Sequence, residues 1–180
     1  MSTLYQTYLN KGINFITWLE CVGIICVLIT ASVLQFYLVE SPCPLCLLQR
    51  SAMMLIVLPL LMNLSYERRI IHYSLSSLGA LLLGCISLRQ ILLHIDGPLG
   101  SGYGYPFLGY HLYTWNFIMA VIVIAINLIV CAALKQYSIP ALYEQSIFGK
   151  RVVLITAILF IAIAGFNVIT AYNECGFLQC

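Results

Sequence analysis

The chain has 180 residues, of which 62% are hydrophobic and only 8% charged, with a formal net charge of +2. Soluble domains carry roughly 45–50% apolar residues. A charge this small, with no basic tail and no basic–aromatic patch, excludes nucleic acid as a partner class. The apolar runs reach the ~20 residues needed to cross a bilayer, which points to one bundle of membrane helices.

The opening MSTLYQTYLNKGINF is polar and aromatic for longer than the start of a signal peptide, and no small-residue cleavage site ends the run that follows. It is expected to stay as an uncleaved first helix. Five spans follow in chain order, at about 13–38, 45–64, 70–93, 110–134 and 152–172, with a tail at 173–180. Each is long enough to cross with some tilt. Pro59 lies late in the second span and can kink or loosen it. The third span carries Ser74, Ser76, Ser77, Gly79 and Gly84, small residues suited to close helix packing.

The short loops set an orientation. Lys11, Arg68, Arg69, Lys135, Lys150 and Arg151 all fall on one side if the spans alternate. The opposite loops hold Glu40, Asp96 and Glu174 and no lysine or arginine. The positive-inside rule then places the N-terminus in the cytoplasm and the C-terminus in the periplasm.

The eight cysteines divide by this topology. Cys21, Cys26, Cys85 and Cys131 lie inside apolar runs and read as small hydrophobes. Cys43 and Cys46, in SPCPLCLLQR, open the second span. Cys175 and Cys180, in NECGFLQC, follow the fifth. Both pairs face the oxidising side, where disulfides persist.

A Cys-x-x-Cys at a helix start is a thiol-exchange unit. Pro44 suits the first turn, and the helix N-terminus favours a thiolate. The same spacing also makes half of a zinc site. Arg50 lies one turn deeper than Cys46, with Gln49 beside it. An arginine there either snorkels to headgroups or serves a site. In the second case it stabilises the Cys46 thiolate and donates to a quinone carbonyl as charge develops. Arg89, near the end of the third span, either approaches Arg50 or snorkels. His94 and His111 flank the Gly-rich loop and either assist proton uptake or rest as interfacial polar groups. That loop, rich in tyrosine, reads as an aromatic belt that can also form a lip over a lipid-facing pocket. The Cys175–Cys180 spacing suits either a structural staple or a mobile shuttle pair. A tail free after Tyr172 reaches about 25 Å when extended.

SPCPLCLLQR closely resembles the active segment of the disulfide bond formation protein B family, with Cys43, Cys46 and Arg50 as the strongest match. The resemblance covers the first four spans and implies a quinone-linked oxidase of the bacterial inner membrane. The implied core is a four-helix bundle, here with a fifth helix added. The electron acceptor would be ubiquinone or menaquinone, and the partner a periplasmic thioredoxin-like thiol oxidase. In the family the second reactive pair lies between spans three and four. Here 94–109 contains no cysteine, so the partner-facing role passes to Cys175 and Cys180 by side of membrane and pairing, not by an aligned motif. The implied cycle runs from the partner to Cys175–Cys180, then to Cys43–Cys46, with Cys46 nearest the quinone. Neither haem nor flavin nor metal is expected, and a monomer would suffice.

Three other readings compete. The four outer cysteines suit a thiolate metal site. Two disulfides could staple a non-catalytic scaffold or transporter, with Glu20 and Asn127 as interior polar groups. The same chemistry could also run in reverse and reduce partners, as in enzymes of the vitamin K epoxide reductase type.

Overall fold

The computed structural model describes residues 3–38, 43–66, 68–95, 106–133 and 147–176. Among these residues there are five helices: α1 Thr3–Leu38, α2 Pro44–Ser65, α3 Ile70–Leu93, α4 Leu112–Ala133 and α5 Ile147–Cys175. All five are long and apolar enough to cross a membrane. Such runs form helices because a helix satisfies every backbone group internally, which lipid cannot do.

Both ends of the chain are more helical than the apolar runs alone indicate. α1 begins at Thr3, where polar residues precede the greasy stretch. α5 continues through Cys175, so the first residues of the segment taken as a tail from 173 are helical. Free reach therefore starts later than Tyr172, and the extended span available to the tail pair is shorter than about 25 Å. Cys180 lies outside the described residues, as does the side chain of Cys175. α2 remains a single helix with the buried Pro59 inside it.

The strongest packing joins α2 to α3 and α3 to α4. α1 lies against α2, and α5 touches both α1 and α2. This arrangement is consistent with a four-helix core joined by a fifth helix. Leu28, Met53, Ile56, Leu60 and Leu83 are fully buried at its centre. Leu78, Leu128, Ile129 and Ile161 are exposed, as lipid-facing residues would be.

The α2–α3 contact depends on one missing side chain. A Cβ on Gly79 would stand 3.0 Å from Ile56 N and from the Leu55 carbonyl carbon. The two backbones approach that closely only because glycine has no Cβ. Polar cross-links set the register of the other pairs. Asn127 Nδ2 donates to Ser76 Oγ at 3.1 Å between α4 and α3. Trp18 Nε1 donates to Thr156 Oγ1 at 3.2 Å between α1 and α5.

Before α4 the chain makes a tight reversal. Phe107 and Tyr110 exchange backbone hydrogen bonds of 2.8 and 3.1 Å. Leu108 and Gly109 between them take φ values of 50° and 83°. Two positive φ angles in succession define a type I′ turn, which glycine supports at the second position. Trp115 Nε1 donates to Phe107 O at 3.0 Å and ties this turn to the first turn of α4.

Candidate active site: a disulfide at a membrane helix start

Cys43 is the N-cap of α2, with extended backbone (φ −67°, ψ 151°), and Pro44 occupies the first helical turn. Proline fits there because its missing N–H has no intrahelical partner to lose. Cys43 and Cys46 form a disulfide across a Cα–Cα distance of 5.2 Å. The Cys46 backbone N–H also points to Cys43 Sγ at 3.1 Å. Cys43 thus does with sulfur what serine or aspartate does with oxygen at an N-cap. A thiolate on Cys43 would face the positive end of the α2 dipole.

One turn deeper, Gln49 and Arg50 point in different directions. Gln49 is buried toward α3 and α4. Its Nε2 donates to Gln90 Oε1 at 2.9 Å, and its Oε1 accepts from Asn116 Nδ2 at 2.9 Å. Gln90, only 1% exposed, presents its own Nε2 to both sulfurs, at 3.6 Å from Cys43 Sγ and 3.7 Å from Cys46 Sγ. Those distances suit an N–H donating to sulfur, a large and weak acceptor.

Arg50 turns toward α1 and α5. It donates to Gln35 Oε1 at 2.7 Å, to Ala31 O at 3.0 Å and to Asn167 Oδ1 at 3.4 Å. These described hydrogen bonds all go to oxygen atoms, not to sulfur. The guanidinium ties three helices together just below the disulfide. An apolar cleft of about 490 Å³ opens between α1 and α5, lined by Ile29, Val33, Phe36, Ile163 and Phe166 among others; Phe166 is the chain neighbour of Asn167, a partner of Arg50. An apolar cleft in a membrane bundle fits a lipid-soluble compound such as a quinone.

The remaining candidates sit around this centre. Arg89 is exposed, pointing away from the bundle, while its neighbour Gln90 points inward. His94 closes α3, with Nδ1 at 2.8 Å from Gln90 O. A carbonyl oxygen only accepts, so Nδ1 carries the hydrogen and Nε2 is the nitrogen available for proton exchange. His94 and His111 both stack on the buried Tyr113, with ring centroids 5.6 and 5.3 Å away. Cys175 ends α5, about 12 Å of helix rise beyond Asn167. Asn167 itself touches Arg50.

Sequence reasoning missed Gln90, Gln35, Asn116 and Asn167. The only available signal was an uncharged polar residue within an apolar run, which also describes residues with purely packing roles.

Residues 14–99 match the family described as disulfide bond formation protein DsbB. Over that segment, a little under half of the chain, the sequence is similar to that family. The matched stretch holds the disulfide, Arg50 and Gln90, while α4, α5 and the terminal cysteines lie beyond it. No curated protein and no solved structure matches the chain. A quinone-linked thiol-oxidase function is consistent with that match.

Proposed function

We propose that the protein oxidises a periplasmic thioredoxin-like dithiol and passes the electron pair through its cysteine pairs to a membrane quinone. The observation that carries this reading is the Cys43–Cys46 disulfide on a membrane helix N-terminus, with buried Gln90 and Arg50 as donors around it.

In this cycle the reduced partner attacks Cys175–Cys180 and leaves oxidised. The tail dithiol attacks Cys43–Cys46, with Cys43 as the sulfur attacked and Cys46 as the sulfur released. Each exchange breaks one S–S bond and forms another, with the electron pair leaving on the displaced sulfur. The Cys43–Cys46 dithiol then closes again by giving two electrons to quinone, which takes up two protons and leaves as quinol. Arg50 and the α1–α5 cleft hold the quinone, and His94 and His111 supply protons. Support for the tail pair comes from α5, whose late turns lie beside Arg50 and lead on to Cys175.

The test is oxidation of a reduced thioredoxin-like protein by membranes containing the full chain, with and without added quinone. Quinone-dependent oxidation is expected, and Cys175→Ser with Cys180→Ser should abolish it. Undiminished oxidation in that double variant would remove the tail pair from the route.

A further inference from the structure

We propose that Gln90 is a catalytic hydrogen-bond donor to the sulfurs of Cys43 and Cys46, held in its donating orientation by a one-way amide chain from Asn116 through Gln49. The proposal deepens the thiol-oxidase reading and rests on it.

A carboxamide has one donating end and one accepting end. In the chain from α4, Asn116 Nδ2 donates to Gln49 Oε1, and Gln49 Nε2 donates to Gln90 Oε1. Gln90 has then used its oxygen, and its NH₂ is the end left to face Cys43 Sγ and Cys46 Sγ. Rotating Gln90 alone would set two NH₂ groups against each other. Reversing all three amides would aim Gln90 Oε1 at disulfide sulfurs, which carry no hydrogen to donate. A buried carbonyl would then lose its partner, and such a loss is costly where water cannot replace it. Both glutamines are almost completely buried, so burial holds the chain in the donating sense.

The consequence lies in thiol exchange. An incoming thiolate, its proton already given to water, bonds to one sulfur of the pair. The Cys43–Cys46 bond breaks, and its electron pair leaves on the other sulfur as a thiolate. Gln90 Nε2 is within reach of that sulfur whichever it is. A neutral donor facing a sulfur gains strength when the sulfur becomes an anion. Gln90 therefore stabilises the charge where it develops, as oxyanion donors do in acyl transfer. Arg50 is the nearest cation in sequence, but its described bonds go to Gln35, Ala31 and Asn167. Among the described side chains, the Gln90 amide is the one that contacts both sulfurs, at 3.6 and 3.7 Å.

The test reads thiolate formation without quinone or partner, so it is independent of whether the oxidase reading holds. The full-length chain is reduced, and iodoacetamide labelling of the peptide bearing Cys43 and Cys46 is followed against pH by mass spectrometry. In Gln90→Leu the midpoint of the more acidic thiol should rise by about one pH unit, a tenfold loss of thiolate. Asn116→Leu touches neither sulfur and keeps Gln90, so it also covers the case in which Gln90→Leu fails to fold. It should shift the midpoint in the same direction by roughly half as much, because the amide chain loses its anchor. A wild-type profile in either folded variant would overturn the proposal.

Discussion

A buried polar cluster lies near each end of α2, yet the two are built differently. At the disulfide end, donors meet acceptors in order, from Asn116 to Gln49 to Gln90 to the sulfurs, and from Arg50 to Gln35, Asn167 and Ala31. At the opposite end, Arg68 bonds Asn14, Asn63 accepts from the Arg69 backbone N–H and pairs with His72, and Thr17 pairs with Tyr73. Several atoms there have no hydrogen-bond partner among the described residues, including both Glu20 oxygens and the side-chain nitrogens of Asn14 and Asn63. Burial of Arg68, in the α2–α3 connection, holds its guanidinium below the ordinary arginine range. One end aims a buried amide at the disulfide. The other clamps α1, α2 and α3 together.

Substitutions at the two ends should therefore separate catalysis from stability. The largest effect is expected from Arg50→Met, which removes the buried donor that joins α2 to α1 and α5. Quinone reduction should fall by roughly 100-fold, the scale of losing one charge-stabilising donor. Steady-state kinetics in membranes would measure it, and a rate within a factor of two of wild type would detach Arg50 from the reaction. Gly79→Ala comes next, because its methyl meets the α2 backbone rather than a side chain that can swing away. It should destabilise the bundle by about 1–3 kcal/mol, the range for overpacking, seen as a lower melting temperature by circular dichroism in detergent. Arg68→Met should cost about 2 kcal/mol by leaving Asn14 Oδ1 without its donor, while quinone turnover per folded molecule stays unchanged. The smallest effect is expected from Tyr73→Phe, which gives up only the 2.8 Å bond to Thr17, worth about 1 kcal/mol.

The same contrast explains what the sequence makes legible. Helices over continuous apolar runs are plain, and so is a Cys-x-x-Cys followed by a proline-started helix. The rotation of each helix is not plain. In a membrane bundle both the core face and the lipid face are apolar, so no polar stripe marks which side turns inward. Arg89 and Gln90 are adjacent in sequence, yet about 100° of helix rotation exposes one and buries the other against the disulfide. Arg50 stands out in the sequence by its charge, but its partners Gln35 and Asn167 come from α1 and α5, and only packing brings them together. The end of α5 is illegible for a related reason. Cys175 follows polar residues that favour neither helix nor tail, and the structure carries the helix through it.

The central claim is that electrons pass from thiols through Cys43–Cys46 to quinone. The most direct test is anaerobic quinone reduction by the purified full-length protein given a reduced thioredoxin-like partner, with Cys46→Ser alongside. One quinol formed for each partner disulfide, and none in the variant, is the expected result. No quinol from a correctly folded wild-type protein with either ubiquinone or menaquinone would contradict the account.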